Sequence, residues 1–130
     1  MSEIPRELNW VKELAACTVA PIFNQLYIKA QEDVQTANDI HSVGPFRRSF
    51  DVRVNEAGDA FTLFEVGNNA TLVRFHLRPN HILAVKDGVE LKITCTLNNE
   101  GRCMLQLNGA GQYELWQVRK QLCERLFFNL

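Results

Sequence analysis

Several sets of residues in this chain have types and spacings from which chemistry is built. Asp39, His41 and Ser42 are of the residue types found in a hydrolase triad. They fall within one short polar stretch that ends in Gly44-Pro45, and triad geometry is assembled from distant parts of a chain. A capping and turn role is therefore expected for them. Gly109-x-Gly111 lies between a strand pattern and a helix pattern, where backbone N–H groups attract anions. The third glycine of a dinucleotide turn is replaced by Glu114, and no Walker lysine follows, so a flexible link is the expectation. His76 and His81 flank Pro79-Asn80 without an evident carboxylate ligand beside them, so they read as surface or interface histidines. No metal, cofactor or catalytic group is expected.

Arg53, Arg74, His76, Arg78 and Lys92, interleaved with Phe61, have the makings of a stacking and phosphate-contact surface for single-stranded nucleic acid. Asp51, Asp59, Glu65 and Glu90 lie among these bases and argue against that reading. Asn69-Ala70-Thr71 matches a glycosylation acceptor and is expected only to make a turn, because no secretory signal is read. Cys17, Cys95, Cys103 and Cys123 contain no C-x-x-C element and fall on inward strand positions or in helical patterns. Free buried thiols are expected, with Cys95 and Cys103 close enough on neighbouring strands to form a redox pair.

At 130 residues the chain suits a single domain over 1–130 with a sizeable core. A 46% hydrophobic and 22% charged composition is that of a folded domain rather than a disordered one. The net charge of −1 gives no general attraction to nucleic acid or an anionic membrane. MSEIPRELNW has neither a basic nor an apolar signal region, and no run approaches the length of a spanning helix. The expected location is cytoplasmic, with no membrane partner.

The elements that must position these residues follow from periodicity. Leu8, Val11, Ala15, Val19, Ile22, Leu26, Ala30, Val34 and Ala37 recur at steps of three and four, predicting a helical segment over 5–40. Pro5 suits its first turn, and Pro21 should kink it or split it into a pair. Trp10, Leu14 and Phe23 widen its apolar stripe. At the other end, Leu115, Trp116, Val118, Leu122, Cys123, Leu126 and Phe127 predict a docked C-terminal helix over 112–128, with its greasy tail tied down.

Between them, residues 47–108 read as an antiparallel meander whose turns set the register. Glu56-Ala57-Gly58 predicts Val54 opposite Ala60, and Asn68-Asn69 predicts Phe64 opposite Val73. Pro79-Asn80 sets Leu77 opposite Ile82, Asp87-Gly88 sets Ala84 opposite Leu91, and Asn99-Glu100-Gly101 sets Leu97 opposite Cys103. One inward set results: Phe50, Val52, Val54, Phe64, Val66, Val73, Phe75, Leu77, Ile82, Ala84, Val89, Leu91, Ile93, Cys95, Leu97, Cys103, Leu105 and Leu107.

The fold class expected is α+β: a curved six-stranded antiparallel meander with a kinked N-terminal helix or helix pair and a C-terminal helix packed on it. Strands followed by a Trp-bearing helix resemble pleckstrin-homology-like barrels in outline, though with six strands rather than seven and an added N-terminal helix. In this register the outward face carries an apolar middle rimmed by charge, and Phe61, Leu63, Leu72, Arg74, His76, Leu83, Val85 and Met104 form a candidate interface. The function expected is a non-catalytic protein-binding or assembly module, a homodimer through that outer face. The alternative is a small-ligand-binding protein or small enzyme with a pocket between curved sheet and helices, and single-stranded nucleic-acid binding ranks third.

Overall fold

A computed structural model of the chain describes residues 7–128. The N-terminal segment is two helices, α1 (Trp10–Ala16) and α2 (Val19–His41). The expected start at Pro5 lies outside the described residues. The break falls at Cys17-Thr18 rather than at Pro21. Pro21 occupies the first turn of α2, where its missing N–H has no intrahelical partner to lose. Of the long apolar stripe, α2 buries Ile22, Phe23, Leu26, Ala30, Val34 and Ala37, whereas α1 buries nothing and leaves Trp10 and Leu14 exposed.

Seven strands follow: β1 (Phe50–Val54), β2 (Ala60–Glu65), β3 (Asn68–Leu77), β4 (Ile82–Lys86), β5 (Val89–Leu97), β6 (Cys103–Leu107) and β7 (Ala110–Tyr113). They form one open antiparallel meander in sequence order. Helix α3 (Leu115–Phe128) closes the described chain. The seventh strand corrects the six expected, because Asn108-Gly109 is a hairpin turn with both residues at positive φ and Leu107 opposite Ala110. Gly111 is therefore inside a strand, with the Tyr113 ring where a side chain would stand, and α3 begins three residues later than 112.

The register from β3 to β6 is the expected one. Strand β2 is turned over. Val54 faces Phe61, and Phe64 faces Leu72. The first loop has an extra residue: Asn55 closes it by accepting from the Asp59 and Ala60 N–H groups, both at 3.1 Å. The second turn is Val66-Gly67, with Gly67 at φ +83°, so Glu65 meets Asn68. A register shift after Phe64 restores the parity of β3. Both hairpins miss by an odd step, so the errors cancel beyond β2 and reverse only its faces. Val54 and Val89, expected inward, are exposed at strand ends, and Val66, also expected inward, is exposed in the turn.

Both long helices pack on the face that results. Helix α2 lies across β1, β2 and β3, and α3 contacts β3, β6 and α2. Phe61 stacks on Phe75 at 4.9 Å between ring centroids and meets Phe23 and Tyr27 from α2. Asn38 of α2 holds the start of β1, donating to the Phe50 carbonyl at 3.0 Å and accepting its N–H at 2.7 Å. Arg48 donates to the Leu126 and Phe127 carbonyls, and the His41 ring lies 2.7 Å from the latter. These groups supply partners for carbonyls that a helix end leaves open, and Phe127 is buried against Phe50 while Phe128 stays half-exposed.

The expected free thiols are corrected at two positions. Cys17, at the α1–α2 joint, is disulfide-bonded to Cys103 at the start of β6. Cys95 and Cys123 are free, and the Cys95 thiol lies 3.3 Å from the Cys17 carbonyl rather than bonding to Cys103. Burial pushes the Cys123 thiol up to about 12.

Candidate functional site

With both long helices on the inner face, the opposite face of the sheet carries no helix of the described residues. Arg53, Thr62, Arg74, Val85 and Glu90 form one cross-strand row over β1 to β5. Ala60, His76, Leu83 and Lys92 form a second row beside it, and Asp51, Phe64 and Leu72 a third. Met104 lies further along, opposite Thr96.

Two residues of the candidate interface do not belong to this surface. Phe61 and Leu63 are 1% and 0% exposed, in the core beneath α2, because the turned-over β2 points them inward. Leu72, His76, Leu83, Val85 and Met104 are half-buried on the bare face, and Arg74 is exposed there. Phe64, between Asp51 and Leu72, is the aromatic residue of β2 on this face. Its ring carries the Arg53 guanidinium at 5.1 Å, a cation–π contact that orients the arginine along the sheet. The apolar middle is thus smaller than the sequence suggested, and the basic residues are more prominent.

A depression of about 330 Å³ opens on this face among Arg53, Asn55, Thr62, Arg74 and His76. Arg74 Nε lies 3.3 Å from Thr62 Oγ1. His76 is held below its ordinary pKa, first by partial burial and then by the positive charges of Arg78 and Arg74. The shift favours the neutral imidazole, which can donate from one nitrogen and accept at the other.

The other residues singled out from the sequence are placed apart from it. Asp39 accepts from Gln35, His41 meets the end of α3, and Ser42 donates to the Asp39 carbonyl, so the three serve separate structural bonds. No group of three or more metal-ligating side chains occurs among the described residues. No helix of the described residues is long and apolar enough to cross a membrane.

The space between sheet and helices is occupied by core side chains, Phe23, Leu26, Leu122 and Leu126 among them. A groove of about 350 Å³ instead opens on the solvent side, between α2 and α3, where Ile40, Trp116 and Phe128 are half-exposed and Arg119 pairs with Asp33 at 2.7 Å. The alternation of α2 had no power to reveal it, since a groove depends on how two helices sit side by side. Comparison with protein-family models, with curated proteins and with solved structures finds no match to this chain.

Proposed function

We propose that this chain is a non-catalytic binding module whose contact surface is the bare face of its sheet, with a second copy of the chain as the partner. The observation behind this reading is that both long helices pack on one face of the seven-stranded sheet, while Phe64, Leu72, Leu83, Val85 and Met104 stand on the other. Apolar side chains grouped on an uncovered face lower the free energy when another surface covers them. Asp51 and Glu90 on the same face offer carboxylates to the arginines of a second copy.

Light scattering on the wild type and on Leu83→Gln tests it. A dimer that the substitution converts to a monomer supports the reading, and a monomer in both cases removes self-association. The Cys17–Cys103 disulfide favours an oxidising compartment over the cytoplasm, because such a bond is seldom maintained in reducing cytosol.

A further inference from the structure

We infer that Arg53, Thr62, Arg74 and His76 form a binding site for the phosphate group of a small phosphorylated ligand, on the face named above as the contact surface. The inference rests on that face being open, and its test is separable from self-association.

Register places the three central residues. Arg53, Thr62 and Arg74 are consecutive cross-strand partners on β1, β2 and β3. Strands lie about 4.8 Å apart, so the two arginine backbones are about 10 Å apart with a hydroxyl between them. Two long side chains that start this far apart reach one tetrahedral oxyanion without crowding each other. The depression they line, with Asn55 and His76, has a volume of about 330 Å³, room for a phosphate and the atoms that carry it.

Arg48, Arg102, Arg119 and Arg125 each pair with a carboxylate, as do Lys29 and Lys120. Four arginines of the described residues, Arg47, Arg53, Arg74 and Arg78, pair with no carboxylate, and of these Arg53 and Arg74 line the depression. The nearby acids form no ion pair with them: Asp59 accepts from the Asn55 side chain at 2.6 Å, Asp51 accepts from the Val52 N–H at 2.8 Å, and Glu90 stands beyond Val85 in the same row.

Both guanidiniums are already steered. The Phe64 ring supports Arg53 from the row across from His76, and the Thr62 hydroxyl lies at Arg74 Nε, with neither guanidinium in an ion pair among the described residues. A planar donor fork held in this way matches the paired oxygens of a phosphate, and a lysine's single point charge does not. His76 adds a ring donor at the rim, beside Arg74.

The test is a titration of the full chain with inorganic phosphate at low ionic strength, followed by backbone amide NMR. It is run on the wild type and on Leu83→Gln, since self-association would cover the site. Expected are saturable shifts centred on Thr62, Arg74 and His76, with Arg53→Gln and Arg74→Gln each weakening binding roughly tenfold, the effect of losing one charge-assisted hydrogen bond. Arg53→Lys and Arg74→Lys, which keep the charge and lose the fork, should weaken it as well. Absence of saturable shifts in both backgrounds overturns the site, as does lysine binding phosphate as well as arginine. A monomeric wild type that binds phosphate rejects the second copy and keeps the site.

Discussion

Single residues report which way strand β2 faces. Phe61 and Phe64 are three apart on the same strand, and a one-residue change of register exchanges their surroundings. In the structure Phe61 is enclosed by Phe23, Tyr27 and Phe75, while Phe64 stands on the bare face under Arg53. Phe61→Ala should destabilise the fold by about 3–5 kcal/mol, the loss typical of a buried aromatic, and Phe64→Ala by much less. Urea unfolding of the two variants reads this directly, and the reverse order would restore the register drawn from turn residues alone. His76 carries a second residue-scale expectation. Partial burial and the charges of Arg78 and Arg74 lower its pKa below 6.5, while Asp59 and Glu90 oppose the shift. The unfolded chain then binds a proton more readily than the folded one, so stability declines as pH falls below about 6.5 towards the folded value. His76→Gln should flatten that decline in unfolding midpoints measured at about pH 7 and about pH 5. An unchanged slope would remove the histidine as its source.

Among the elements, α1 is the least secured. It buries no residue of its own, and Trp10 is 62% exposed. Its principal tie to the sheet is the Cys17–Cys103 disulfide, 86 residues apart in sequence. A cross-link of that span restricts the unfolded chain by about 4–5 kcal/mol on the loop-entropy account. Helix α2 does not depend on it, because six of its residues are in the core and Asn38 is bonded to the start of β1. Reduction, or Cys17→Ser, should therefore lower the melting temperature and make the α1 segment sensitive to protease while the sheet stays folded. Equal protease resistance of the oxidised and reduced protein would show that α1 is held by something other than the cross-link.

At the scale of the whole molecule, one sheet separates two unlike surfaces. The inner one is filled by side chains of α2 and α3, and the outer one holds no helix of the described residues. Ion pairs join α2 to α3 through Asp33 and Arg119, and β2 to the loop before β1 through Glu65 and Arg48. The Arg48 hydrogen bond holds the Glu65 carboxyl below its ordinary pKa despite the opposing effect of burial. The bare face retains arginines without such partners. That division is why self-association and anion binding are both assigned to it, and why light scattering and phosphate titration are needed together.

Much of this architecture was legible in the chain itself. The α+β class, the stripe of α2 from Ile22 to Ala37 and the pairing from β3 to β6 follow from local periodicity and from turns such as Asp87-Gly88, where short-range sterics decide the geometry. The seventh strand was also written locally, in Asn108-Gly109, the same type of signal in a place where a flexible link was expected. Other features are not local. Whether the loop after Val54 has three residues or four depended on the Asn55 side chain closing it, and β2 alternates Phe61, Leu63 and Phe64 so that either face offers apolar side chains. The tertiary structure chose, because α2 buries Phe61 and Leu63 against Phe23 and Tyr27. The disulfide is of the same kind: nothing near Cys17 or Cys103 in sequence marks them as partners, and only the docking of the α1–α2 joint on β6 brings them together.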